Sequence, residues 1–86
     1  ISRVSLETLV GRVCRQMGIT PEELAGGGRR AAVTRARDGI AHLWVGKLGH
    51  SGRRLAPVLG IAPQSVYRAA ARGAVRAAEW ARILPR

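Results

Sequence analysis

The side chains able to do chemistry in this 86-residue chain are mostly arginines. Of 15 basic residues only Lys47 is a lysine, and against five acidic residues they leave a formal charge of +10. A guanidinium meets phosphate and guanine edges with paired N–H donors. Charge of this size and kind marks a polyanion binder, and nucleic acid is the commonest polyanion. A codon bias toward Arg, Ala and Gly would enrich arginine too. The arginines fall in two groups. Arg29, Arg30, Arg35 and Arg37 crowd one stretch, while Arg53, Arg54, Arg68 and Arg72 flank Gln64, Ser65 and Tyr67 in another.

Catalytic chemistry finds little to work with. His42 and His50 are eight residues apart, which is not a metal-ligand spacing, and few carboxylates lie near them. Cys14 stands alone on an apolar helix face, so it reads as a buried structural thiol. Gly26-Gly27-Gly28 lacks the Lys-Ser/Thr ending and the preceding strand of a phosphate loop. We therefore expect no catalysis, no cofactor and no metal. Tyr67, the only tyrosine, reads as a phosphate or base contact.

The elements that must position these groups centre on SGRRLAPVLGIAPQSVYRAAAR, residues 51–72. Ser51 caps a first helix whose stripe is Leu55, Val58 and Leu59. Gly60 suits the left-handed residue that ends it. Ala56 is small where a second helix must cross, and Ile61 can plug the turn. Pro63 suits the first position of that second helix. Val66, Ala69 and Ala70 give it a buried side, leaving Gln64, Ser65, Tyr67, Arg68 and Arg72 outward. This is the helix-turn-helix pattern, with a donor-rich helix for a major groove. A plain helical hairpin would share its turn glycine. Pro57, inside the first helix, predicts a kink there.

Upstream, Ser5 caps a helix carrying Leu6, Leu9, Val10, Val13, Cys14 and Met17, stapled by Val4 and Leu9 and ended by Gly18. Thr20-Pro21-Glu22-Glu23 is a capping box opening a short second helix. A long third helix follows over residues 30–48, with Val33, Ala36, Ile40, Leu43, Trp44 and Leu48 inward. Gly39 in its middle would let another helix cross closely. Arginines at its start oppose the helix dipole, which points to an outside anion rather than to helix stability; a solvated basic face is the plainer alternative. After Gly73, residues 74–84 either continue the recognition helix or fold back with Ala77, Trp80, Ala81 and Leu84 inward.

The run VCRQMGITPEEL–RRAAVTRAR–IAHLW–LGHSGRRLAPVLGIAPQSVYRAAARG resembles the C-terminal DNA-binding domain of the bacterial replication initiator DnaA. It is still more similar to the related domain appended to transposases of the repetitive-extragenic-palindrome type. The resemblance covers about Ser5 to Gly73. It implies an all-α, Trp-repressor-like bundle that binds duplex DNA. In that family the long-helix start and the loop before it reach phosphates and the minor groove, which implicates Arg29, Arg30, Arg35 and Arg37. The recognition-helix start reads bases, which implicates Pro63, Gln64 and Ser65. The initiator's Asp-His-Thr-Thr signature is replaced here by Ala62-Pro63-Gln64-Ser65, and the third basic position of the family's loop falls at Ala31. A transposase parent would hold its metal site and nucleophilic tyrosine elsewhere.

Together these readings describe one DNA-binding domain over residues 1–86. Gln64, Ser65 and Arg68 read base edges, while Arg53, Arg54, Tyr67, Arg72 and the arginine cluster hold phosphates. The start at Ile1 suggests a piece of a longer protein, whose remainder would be a partner. With no signal peptide and no long apolar span, the expected setting is the cytoplasm, on the nucleoid. Alanine-rich helices lack the bulky apolar face that membrane binding needs. Two rivals remain. One is a non-specific nucleic-acid-binding tail. The other is a protein-interaction module that docks through Ala77, Trp80 and Leu84.

Overall fold

The chain is described by a computed structural model covering residues 5–26 and 30–83. Helix α1 (Leu6–Met17) begins where the Ser5 hydroxyl accepts the Thr8 N–H at 3.1 Å. It ends at Gly18, with φ 69°, where the Ile19 N–H returns to the Cys14 carbonyl at 3.0 Å. The staple residue Val4 lies outside the described residues. Helix α2 (Pro21–Ala25) opens on the expected capping box, with Thr20 and Glu23 exchanging two hydrogen bonds. These caps satisfy donors that the helices cannot pair internally.

The long third helix is present in altered form. Helix α3 (Ala31–Ala41) passes into a π-helical turn over His42–Lys47, so regular α-helix stops short of Leu48. Leu48 N–H bonds to Leu43, five residues back, at 2.9 Å. Ile40, Ala41, His42, Leu43 and Trp44 are all buried in succession, so the helix is covered on every side where it changes form. The widened turn also lets Trp44 Nε1–H reach the Ser51 carbonyl at 3.2 Å.

Helix α4 (Gly52–Leu59) starts at Ser51, whose hydroxyl accepts the Arg53 N–H at 3.2 Å. It continues through the exposed Pro57 to Leu59, so the motif survives the proline. Gly60 then turns the chain at φ 65°. A side chain there would be doubly excluded, because a Cβ would lie 2.3 Å from the Ala25 carbonyl oxygen. Helix α5 (Pro63–Ala74) follows and buries Val66, Ala69 and Gly73. Its most extensive packing is against α3. Gly73 is the crossing point, where a Cβ would stand 2.1 Å from the Asp38 carbonyl oxygen.

The last described segment, residues 77–83, folds back instead of extending α5; Ala81 is exposed there, contrary to expectation, and Leu84 lies outside the described residues. Helix α6 (Ala77–Trp80) lays Trp80, fully buried, over Gly39 of α3. The close approach expected at Gly39 is therefore that of an indole ring. Trp80 and Ile83 join Leu9, Leu24, Ile40, Leu55 and Leu59 in one core. Each such side chain contributes about 1.5–3 kcal/mol by leaving water. All regular elements among the described residues are helical, and none of these helices is long and apolar enough to cross a membrane.

Candidate nucleic-acid interface

Helix α5 presents an outward row because its inner row is fixed. With Val66, Ala69 and Gly73 buried, the 3.6-residue repeat leaves Gln64, Tyr67, Arg68, Ala71 and Arg72 exposed and Ser65 half-buried. Gln64 and Arg68 stand one turn apart, about 5–6 Å between their Cβ atoms. Neither has a protein hydrogen-bond or ion-pair partner among the described residues. Pro63, also exposed, occupies the first helical position, and Ala62 before it supplies no side-chain cap. No acidic residue sits in the first turn of α3, α4 or α5, whereas α1, α2 and α6 each have one or more. The N-terminal dipoles of α3, α4 and α5 are thus not offset by an acidic side chain in their own first turns.

Arg53 and Arg54 project from the first turn of α4, both exposed and both without a protein partner among the described residues. The start of α4 is braced from two sides. Trp44 donates to the Ser51 carbonyl, and His50 stacks on the Trp44 ring with centroids 4.0 Å apart. From α5, the Tyr67 hydroxyl accepts the Gly52 N–H at 3.2 Å while its ring packs on Gly52. Tyr67 is therefore first a brace between the two helices of the motif. Tyr67 remains 51% exposed, and the hydroxyl keeps its own proton to donate.

The arginines of the long helix do not form one cluster. Arg30 pairs with Glu23 of α2. Arg35 pairs with both oxygens of Glu79 on α6, at 2.8 and 3.0 Å. Arg37 donates to the Leu24 carbonyl at 3.2 and 3.0 Å. Residues two apart on a helix point about 200° apart, so Arg35 and Arg37 must diverge. Arg35, expected to hold phosphate, is thus paired with α6, and 42% of its side chain remains exposed. Arg29 lies outside the described residues.

Arg37 does share a site with α5. Together with Thr34, Asp38, Ile61, Ser65, Arg68, Ala69 and Arg72 it lines a cleft of about 280 Å³ between α3 and α5. Arg72, expected to hold phosphate, bonds across this cleft to Asp38, with Nε 3.2 Å and Nη2 3.1 Å from Oδ1. Thr34 and Asp38 were missed by sequence reasoning. A signal existed for Asp38: it is the one carboxylate in an otherwise basic α3.

The groups weighed for catalysis sit elsewhere. Cys14 is buried, and burial, then Glu22 and Glu23, push its thiol up. His42 is buried too, and burial, then Lys47, hold it below the ordinary histidine value. Its Nε2 has no partner among the described residues. No group of three or more His, Cys, Asp or Glu among the described residues is placed to hold a metal ion.

Comparisons with protein-family models, with curated proteins and with solved structures return no match to this chain. The functional reading therefore rests on the residues themselves.

Proposed function

We propose that this chain is a sequence-specific double-stranded DNA-binding domain in which α4, the turn at Gly60 and α5 act as a helix-turn-helix. The observation that carries the reading is the state of α5. Its inner face is locked by Val66, Ala69 and Gly73, while Gln64 and Arg68 on α5 and Arg53 and Arg54 on α4 are exposed and have no side-chain partner among the described residues. Gln64 is suited to adenine and Arg68 to guanine, with Pro63 and Ser65 alongside them at the helix start. Arg53, Arg54, Arg37 and Arg72 supply phosphate contacts that set the register. Tyr67 and Trp44 keep the two helices at a fixed angle, so that phosphate and base contacts are made together.

This reading fits the resemblance to the DNA-binding domain of DnaA-type initiators and its transposase-appended relatives. On it, the chain is the targeting domain of a larger initiator-like protein or transposase, working at the nucleoid. The domain itself performs no chemistry. Docking through Trp80 is the weaker alternative, since that side chain is spent in the core. Non-specific binding by base stacking is weakened in the same way: Trp44 and Trp80 are buried, and Tyr67 alone offers a half-exposed ring.

The test is selection of binders from a random duplex library, with affinity followed against salt. A recurring motif, bound with a salt slope matching several phosphates, supports the proposal. Retention of all sequences alike would replace it with a non-specific tail, and no retention would remove DNA from the account.

A further inference from the structure

We infer that Asp38 is a positioning residue for DNA binding, holding Arg72 ready across the α3–α5 cleft; the inference rests on the DNA-binding reading above. Asp38 is an unusual residue to find there. It brings a negative charge into a cleft whose other ionisable groups are Arg37, Arg68 and Arg72. Only 15% of its side chain is exposed, against 58% for Arg72. The carboxylate therefore lies at the bottom of the cleft, and the guanidinium lies over it toward solvent.

The geometry leaves Arg72 useful. Its Nε and Nη2 both point to Asp38 Oδ1, and Nη1 lies outside the pair. A guanidinium has five N–H donors in a rigid fork, so the outer edge can still meet a phosphate while the inner edge is held. An unrestrained arginine loses much rotamer freedom when it binds; one already held by Asp38 loses less. The anchor is itself rigid. The Asp38 carbonyl is the backbone atom against which Gly73 of α5 packs, one residue beyond Arg72. Side chain and main chain of Asp38 thus fix the same turn of the recognition helix. Asp38 also opposes phosphate by its charge. With the carboxylate largely covered and paired with Arg72, the ordering effect outweighs that repulsion.

Four variants of the full chain test this on a duplex chosen by the selection experiment, alongside an unrelated duplex. Asp38→Asn keeps the shape and removes the charge that holds Arg72. Arg72→Ala removes the contact, and the third variant combines both. Asp38→Asn is expected to weaken the chosen duplex about three- to tenfold with the salt slope unchanged. Arg72→Ala should lower that slope by about one unit, and the double variant should bind no worse than Arg72→Ala. Arg72→Lys keeps the charge without the two-nitrogen fork, so it should behave like Asp38→Asn even if the latter proves poorly folded. Tighter binding of both duplexes by Asp38→Asn, with a steeper slope, would show that Asp38 merely repels DNA. Equal further loss in the Arg72→Ala background would show that it does not act through Arg72. Failure of the unaltered chain to bind either duplex would instead remove the DNA-binding reading, and this inference with it.

Discussion

Substituting Gly73 by alanine should unfasten α5 from the rest of the domain. A Cβ at that position falls 2.1 Å from the Asp38 carbonyl oxygen, 2.7 Å from its carbon and 2.8 Å from His42 Cβ. Even a weak C–H···O contact keeps carbon and oxygen about 3.3–3.6 Å apart. Helix α5 must therefore retreat from α3 by roughly 1 Å, because a carbonyl within a helix cannot swing aside as a side chain can. Alanine is the better helix former by about 1 kcal/mol, and overpacking costs about 1–3 kcal/mol or more. With main-chain atoms as the obstacle, the upper end applies and the net loss is about 2 kcal/mol. In a domain of this size that lowers the melting temperature by about 8–16 °C. The control is Gly11→Ala in α1, where a Cβ meets nothing within 4 Å. That variant should gain up to about 1 kcal/mol. Thermal denaturation followed by circular dichroism reads both. If Gly73→Ala melts at or above the unaltered protein while Gly11→Ala melts higher, the packing of α5 on α3 described above is wrong.

Three further outcomes are expected. Because burial and Lys47 hold His42 below the usual value of about 6.5, the unfolded chain takes up that proton first as pH falls. Its contribution to stability is thus full above about pH 6.5 and lost below it, and His42→Leu should flatten melting temperature between pH 7.5 and pH 5. Arg35→Ala should leave DNA affinity and its salt slope nearly unchanged, since Arg35 serves Glu79, whereas Arg53→Ala should reduce the slope by about one unit in titrations followed by anisotropy. Tyr67→Phe leaves the Gly52 N–H without its acceptor and should cost about 1 kcal/mol in chemical denaturation.

What could be read from the sequence was the local chemistry. Ser5, Thr20 and Ser51 cap helices with side chains that reach two or three residues, and Gly18 and Gly60 supply left-handed turns. Such features depend on neighbours in the chain, so residue type and spacing reveal them. The partners of the arginines could not be read that way. Arg35 meets Glu79 from 44 positions away, and Arg72 meets Asp38 from 34. A helical pattern places each arginine on a face but says nothing of the element that covers that face. The π-helical turn over His42–Lys47 escaped because the apolar spacing of Leu43, Trp44 and Leu48 fits an α-helix equally well. Tyr67 looked like a free contact because its brace to Gly52 exists only once the turn at Gly60 has closed.

The central claim, that α5 reads bases, is tested most directly by comparing the unaltered chain with Gln64→Ala on the selected duplex and on an unrelated one. The account expects the variant to lose about 1–3 kcal/mol on the selected duplex and almost nothing on the other, at an unchanged salt slope. Equal loss on both duplexes, or none on either, would contradict base reading by this helix.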